Sequence, residues 1–295
     1  MNSAQHTKEL LKKVRRVELK TRGLSEHIFS GEYHSAFKGR GMTFSEVREY
    51  SEGDEVRTID WNVTARFGHP FVKVFEEERE LTVMLLADLS GSTEFGSTTQ
   101  LKRDLITEAC ATIAFSAIKN NDKVGLLLFT DRVERFIPPK KGRAHILRIV
   151  RELIEFSPEG EGTSIGEALG YLNRVIKRRA IAFLVSDFQD SGYEDALRIA
   201  NRRHDLVALR TTDPREQELP NVGLARFVDP ESGELRWVDT ASRKVRNAFR
   251  AAALKHHQRT QEILRRSGVD HAVIGTDTGY VRALMRLFKQ REGAR

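Results

Sequence analysis

Residues 81–100 read LTVMLLADLSGSTEFGSTTQ, an apolar run that ends in Asp88-Leu89-Ser90-Gly91-Ser92 just before a helical stretch. A strand apolar on both faces suits the centre of a parallel sheet, because helices cover such a sheet on both sides. The D-x-S-x-S loop then sets one carboxylate and two hydroxyls at the strand's carboxyl end. These are hard oxygen donors of the kind that Mg²⁺ takes in an octahedron at about 2.0–2.1 Å, usually keeping some waters. The same residue types also cap helices at ordinary strand-to-helix turns, so the pentapeptide alone leaves both readings open.

Two later segments add to the metal reading. Gly162-Thr163-Ser164-Ile165 opens a helix with hydroxyls at its first turn, and Ala180-Ile181-Ala182-Phe183-Leu184-Val185-Ser186-Asp187 is a second buried strand ending in a carboxylate. Open α/β sheets gather functional groups at the carboxyl ends of their strands. Asp88 and Asp187 are placed there, with Thr163 projecting from a neighbouring loop. The expected metal set is therefore Asp88, Ser90, Ser92, Thr163 and Asp187, holding Mg²⁺, with Mn²⁺ or Ca²⁺ as substitutes.

The wider pattern is an alternation of strands and helices. Strands are expected at 81–88, 123–129, 180–187, 205–211 and 270–275. Helices are expected at 100–119, 143–156, 164–178, 192–202, 240–267 and 279–290. This predicts an α/β fold with a doubly wound, mostly parallel sheet over 81–290, with a hairpin insertion near 225–239 that carries Trp237. Ahead of it, 1–24 reads as an amphipathic helical segment with Leu10, Leu11, Val14, Val17 and Leu19 among charges. The portion 25–80 is rich in Gly, aromatic and charged residues without helical period, and reads as a separate β-rich subdomain whose clearest strand is Phe71-Val72-Lys73-Val74-Phe75.

Composition narrows the function classes. The chain has 295 residues, 49 basic and 42 acidic side chains and a formal charge of +7, so the two signs are interleaved and no uniform field follows. Lys12-Lys13-Val14-Arg15-Arg16, Lys177-Arg178-Arg179 and Arg202-Arg203 read as the solvated end or face of a helix, with a phosphate-binding patch as the alternative. They lack interleaved aromatics and no reader motif accompanies them, so specific nucleic-acid binding is not expected. The lone cysteine, Cys110, excludes an intramolecular disulfide and a cysteine-based zinc site. The first twenty residues lack the apolar core of a signal peptide, and no stretch reaches the roughly 18 apolar residues of a transmembrane segment. A cytoplasmic setting is expected, with a membrane reached only through a partner.

The order Asp88, Ser90, Ser92, Thr163, Asp187 on such a sheet resembles a von Willebrand factor type A domain carrying a metal-ion-dependent adhesion site. Here the threonine loop reads Gly-Thr-Ser, where that family has Gly-Thr-Asn, and the hydroxyl is kept. Upstream, Arg48-Glu49-Tyr50, Gly53-Asp54, Val56-Arg57, Ile59-Asp60-Trp61-Asn62 and Phe75-Glu76-Glu77-Glu78 narrow the resemblance to the bacterial family called domain of unknown function 58. That resemblance spans about 25–280. It implies a partnership with a MoxR-type AAA+ ATPase in chaperone-like assembly or maturation.

The function expected is a non-enzymatic, metal-dependent protein-binding module or adaptor, whose cation bridges to an Asp or Glu of a protein partner. Asp54, Arg57, Asp60 and Trp61 are expected to form a buried polar network tying the subdomain to the sheet, or else a partner-binding surface. Two competitors remain. One is an Mg²⁺-dependent hydrolase using Asp88 or Asp187, against which stands the absence of G-x-x-x-x-G-K-[ST], H-E-x-x-H and G-x-S-x-G motifs. The other is a structural scaffold in which the same residues cap helices around a metal-free polar crevice. His145, His204, His256, His257 and His271 are scattered and read as surface or structural residues.

Overall fold

A computed structural model describes residues 3–24, 33, 36–37, 42–77, 80–160, 162–228 and 233–293. In chain order its elements are α1 (Ser3–Leu24), β1 (Met42–Glu49), α2 (Trp61–Phe67), β2 (Phe71–Glu77), β3 (Thr82–Asp88), α3 (Lys102–Lys119), β4 (Lys123–Phe129) and β5 (Val133–Lys140). There follow α4 (Arg143–Glu155), α5 (Ile165–Val175), β6 (Ile181–Ser186), α6 (Glu194–Arg203), β7 (Asp205–Thr212) and the single turn α7 (Pro214–Gln217). The chain continues through β8 (Leu224–Val228), β9 (Leu235–Asp239), α8 (Arg243–Arg266), β10 (Asp270–Gly275) and α9 (Val281–Gly293).

The central sheet has six strands in the order β10-β7-β6-β3-β4-β5. All neighbours run parallel except β5, which is antiparallel to β4. The chain lays down β3, β4 and β5 in one direction and then returns to build β6, β7 and β10 on the other side of β3. The winding thus reverses between β3 and β6, and at that point the carboxyl ends of adjacent strands open a crevice where ligands of such sheets bind. Asp88 ends β3, and Asp187 follows directly after β6.

Both faces of the sheet are packed, which is why the apolar strands show no alternation. Val83, Leu85 and Ala87 of β3 point into one core with α3, α4 and α9, while Met84 and Leu86 point into a second with α5, α6 and α8. Helix α3 is buried almost all round, because α1 and α4 lie against it on the side away from the sheet. Its run of Ala, Thr, Ser and Cys110 supplies the small side chains that allow such close approach. Val14 and Val17 of α1 pack on that core, whereas Leu11 and Leu19 face outward. Lys20 of α1 reaches Glu108 of α3 at 2.6 Å.

Strand β5, VERFIPPK, was not among the expected strands, and the reason is its position. It is an edge strand with only Ile137 fully buried, so it lacks an apolar run, and its two prolines are tolerated where one side of the strand is unpaired. The portion read as β-rich holds an antiparallel pair, β1 and β2, with α2 between them. Three residues of that portion behave differently. Tyr33, Ala36 and Phe37 are fully buried in the main core, where the Phe37 ring meets Phe183 and Phe288 at centroid distances of 5.8 and 5.7 Å. The expected hairpin is present as β8 and β9, and its turn at 229–232 lies outside the described residues. Trp237 is 68% exposed on it. The three basic clusters are exposed; those at 12–16 and 202–203 lie on α1 and α6, while Lys177-Arg178-Arg179 falls in the loop between α5, which ends at Val175, and β6. No helix among the described residues is long and apolar enough to cross a membrane.

Candidate metal centre

The loop after β3 folds back on its own carboxylate. Asp88 is fully buried; its Oδ1 accepts from the Ser90 backbone N–H at 2.9 Å and its Oδ2 accepts from the Ser186 hydroxyl at 2.6 Å. The Leu89 N–H donates to the Phe129 carbonyl at 2.9 Å, which pins the loop over the end of β4. The short helical turn Gly91–Glu94 then brings the Ser92 hydroxyl back to Asp187, where it donates to Oδ2 at 2.7 Å. Ser90 Oγ and Ser92 Oγ stand 3.2 Å apart. Four of the five expected residues, Asp88, Ser90, Ser92 and Asp187, therefore meet in one buried cluster.

Thr163 sits half-buried in the loop before α5. That loop is tied to the same edge of the sheet: the Ser164 N–H donates to the Thr130 carbonyl at 2.7 Å, and the Ile165 N–H to Asp190 Oδ2 at 2.8 Å. Gly160 explains the close approach, since a Cβ there would collide with the side chains of Thr130 and Asp131. The turn after β6 carries backbone strain. Phe188 adopts a left-handed φ of 61° while fully buried, and its N–H donates to Ser186 Oγ at 2.9 Å. That conformation lets Asp187 turn into the crevice.

Sequence reasoning missed two members of the cluster. Lys102, the first residue of α3, is fully buried; its Nζ donates to Asp187 Oδ2 at 2.7 Å and also to Glu216 Oε1. Glu216 in turn accepts the Asp213 N–H at 3.0 Å through Oε2, closing a capping box on α7. A signal existed: a lysine in the first turn of a helix opposes the macrodipole, so it needs another reason to be there. Glu216 had none beyond its capping position.

The electrostatics follow from burial. Burial, with the Asp187 charge beside it, pushes Asp88 up to about 7 against the hydrogen bonds from Ser186 and Ser90. Burial also presses Asp187 upward, but the Lys102 ammonium, the Ser92 hydroxyl and the Gln189 N–H outweigh it, and Asp187 lies below the ordinary carboxylate range. Glu216 is raised by burial, partly offset by Lys102. Three carboxylates, Asp88, Asp187 and Glu216, face one bonded ammonium, Lys102, with the Arg210 guanidinium also within electrostatic reach, so when ionised the cluster is net negative and attracts a cation.

The donor chemistry also fits one. Apart from the Lys102 ammonium, the inward groups are hard oxygens, and the Ser90–Ser92 separation of 3.2 Å is close to the cis edge of an Mg²⁺ octahedron, about 2.9–3.0 Å. Among the described residues no group of three or more His, Cys, Asp or Glu side chains is placed to hold a metal ion, so the hydroxyls carry the donor set.

The buried network expected from Asp54, Arg57, Asp60 and Trp61 is not formed. Asp54 pairs with Arg48 through two bonds of 2.6 and 2.7 Å, and Asp60 caps α2 by accepting from the Asn62 and Val63 N–H groups. Arg57 is exposed, and Trp61 is 66% exposed. The polar pattern served local turns and a helix cap, which need no burial.

Fold and cluster together define a doubly wound α/β protein with a mostly parallel six-stranded sheet and its polar centre at the point where the winding reverses. Residues 46–259 match the family described as Protein of unknown function DUF58, and the chain belongs to that family. It is 31% identical over 283 residues to Rv1480, an uncharacterized protein of Mycobacterium tuberculosis, covering 94% of this chain and 88% of that one. Among solved structures it is similar to BatB from Bacteroides thetaiotaomicron, with a TM-score of 0.50 and 16% identity over 72% of this chain and 99% of that one. An aerotolerance-related membrane protein from Bacteroides fragilis gives the same TM-score and identity, over 73% and 100% of the two chains. These structural likenesses concern the fold.

Proposed function

We propose that this protein is a non-enzymatic, metal-dependent binding module that recognises an acidic residue of a protein partner. The observation that supports this most is the meeting of Asp88, Ser90, Ser92 and Asp187 in one buried cluster at the reversal of the sheet. In this reading Ser90 and Ser92 hold Mg²⁺, or Mn²⁺ or Ca²⁺ in its stead, through their hydroxyls. Thr163 contributes from its loop, and Asp88 and Asp187 orient the hydroxyls and act largely through water. A cation so held supplies an open position for one carboxylate. Lys102 keeps Asp187 compensated when that position is not in use. Among the described residues the Ser90 and Ser92 hydroxyls bond each other and Asp187 and no histidine, which favours binding over hydrolysis.

Exposed aromatic residues favour a protein as the partner. Trp61 and Phe67 stand out from the α2 region and Trp237 from the β8–β9 hairpin, each more than 60% exposed, and aromatic anchors of this kind are enriched at interfaces. The family resemblance points to a MoxR-type AAA+ ATPase acting in chaperone-like assembly, in the cytoplasm.

Lys102 gives specific support to a second reading, a metal-free polar crevice, because its ammonium already satisfies Asp187. One experiment separates the two. Titration calorimetry with Mg²⁺, Mn²⁺ and Ca²⁺ is expected to show saturable binding to the wild type that falls at least tenfold in Asp88→Ala, with the far-UV spectrum unchanged. A pull-down with the same pair should retain an AAA+ ATPase only with wild type and Mg²⁺. Absence of binding by any of the three ions would leave the metal-free crevice as the correct account.

A further inference from the structure

Beside the metal centre, on the other side of Asp187 and Glu216, lies a cleft of about 650 Å³ between the ends of β7 and β10 and the flank of α8. Its deepest cation is Arg210, the one charged residue in the interior of the strand sequence DLVALRTT. Arg210 is only 8% exposed, and its Nη1 donates to His257 Nδ1 at 2.5 Å while its Nε has no partner. His256 Nε2, which lines the same cleft, is also buried without a partner.

The carboxylates around the cleft do not serve Arg210. Asp187 and Glu216 share Lys102, and Glu218 pairs with Arg250 at 3.1 Å. Arg210 forms no ion pair with a carboxylate among the described residues. A buried guanidinium offers five N–H donors and loses most of its hydration, so a neutral imidazole is an incomplete partner for it. Burial bears on Arg210 strongly enough to lower its pKa against the attraction of Asp187 and Glu216. Apolar side chains flank this cation: Val273, its neighbour across to β10, and Leu254 of α8 line the cleft yet are 42% and 55% exposed, with Phe249 also lining it.

We infer that this cleft is a second binding site, bordering the metal centre at Asp187, which takes an oxyanion carried on an apolar body and seats its carboxylate or phosphate on Arg210 beside His256. The guanidinium supplies charge-assisted hydrogen bonds, His257 holds its orientation, and the apolar wall receives the ligand's body. This goes beyond the metal reading and does not depend on it.

The test uses the full chain in EDTA, so that no metal contributes. Inorganic phosphate, phenyl phosphate, acetate and hexanoate are titrated at ionic strength held constant with NaCl, following thermal stabilisation and the histidine ring signals by NMR. Saturable binding is expected for at least one oxyanion, tighter for the member of its pair with the apolar body. Preference for phosphates or for carboxylates identifies the class. Arg210→Met, which keeps the apolar stem, should weaken binding about ten- to hundredfold, as loss of a charged hydrogen bond implies. His256→Gln, at a half-buried position, should weaken it severalfold with the fold intact, and covers the case in which Arg210→Met does not fold. Asp88→Ala should bind the oxyanions as the wild type does, whatever becomes of metal binding. The inference is overturned if no probe stabilises the wild type beyond chloride, or if binding is unchanged in both cleft variants.

Discussion

Replacing Lys102 with methionine keeps the apolar stem that crosses the core and deletes only the ammonium between Asp187 and Glu216. Breaking a buried pair by removing one partner costs about 3–5 kcal/mol, because the other charge is left without compensation. Asp187 is 2% exposed and cannot rehydrate, whereas the Glu216 side chain is 27% exposed and can do so in part. The lower figure, about 3 kcal/mol, is therefore expected, or about 6 °C at the lower end of the 2–4 °C per kcal/mol found for large domains. The assay is thermal unfolding at pH 7 in EDTA and again with Mg²⁺. If the crevice holds a dication, Mg²⁺ should return more stability to Lys102→Met than to the wild type, because the ion replaces the missing positive charge. The gap should also close in acid. In the wild type Asp187 is depressed, so its contribution is present above the unfolded carboxylate pKa and is lost as pH falls through the folded one. Without Lys102, only the Ser92 hydroxyl and the Gln189 N–H oppose burial, and the stability that ionised Asp187 contributes as pH rises is reduced. A loss below about 2 °C in EDTA would refute the claim that Lys102 compensates Asp187; an Mg²⁺ effect no larger in the variant than in the wild type would separate Lys102 from the cation.

Three further outcomes are expected. Leu85→Ala, at a fully buried position of the central strand, should cost about 2–5 kcal/mol in denaturant unfolding and leave Mg²⁺ affinity, measured below the transition, unchanged. His204 is fully buried, accepts the Ala180 N–H on Nδ1 at 3.3 Å, and is lowered to about 4 by burial and then by Arg203 and Arg179. The folded state thus binds fewer protons there than the unfolded one, and stability should fall from about pH 6.5 towards pH 4 by up to about 3 kcal/mol, a slope that His204→Gln should remove in pH-resolved urea melts. Trp237→Ala should change stability by no more than about 0.5 kcal/mol, since the ring is 68% exposed, yet should reduce partner capture in a pull-down if the hairpin is an anchor.

The sheet was readable from the sequence because its central strands are buried on both faces, and a run such as TVMLLAD has few other places to go. Helices α4, α6 and α8 were readable from their periodicity to within a few residues, whereas α3, buried almost all round, carries almost no period. Strand β5 was not, since an edge strand with a single buried side chain carries almost no pattern. Asp88, Ser90, Ser92 and Asp187 were legible for a local reason: each lies within or next to the end of an apolar strand, and the position of strand ends follows from the pattern. The polar run around Asp54, Asp60 and Trp61 misled because short-range turn and cap chemistry uses the same residues as a buried network.

What the sequence by itself determined is the order of strands and helices and the placing of two carboxylates and two serine hydroxyls at strand ends. Those follow from burial and backbone geometry over a few neighbouring residues. What only the tertiary structure decided is which distant side chains complete the site. Lys102 and Glu216 are 114 residues apart, and Arg210 and His257 are 47 apart. Their meeting depends on the reversal of winding between β3 and β6 and on α8 packing across β7 and β10. In the sequence Lys102 is one basic residue among 49, and His257 one histidine among nine; it is long-range packing that removes them from water and gives their charge and hydrogen bonds a direction.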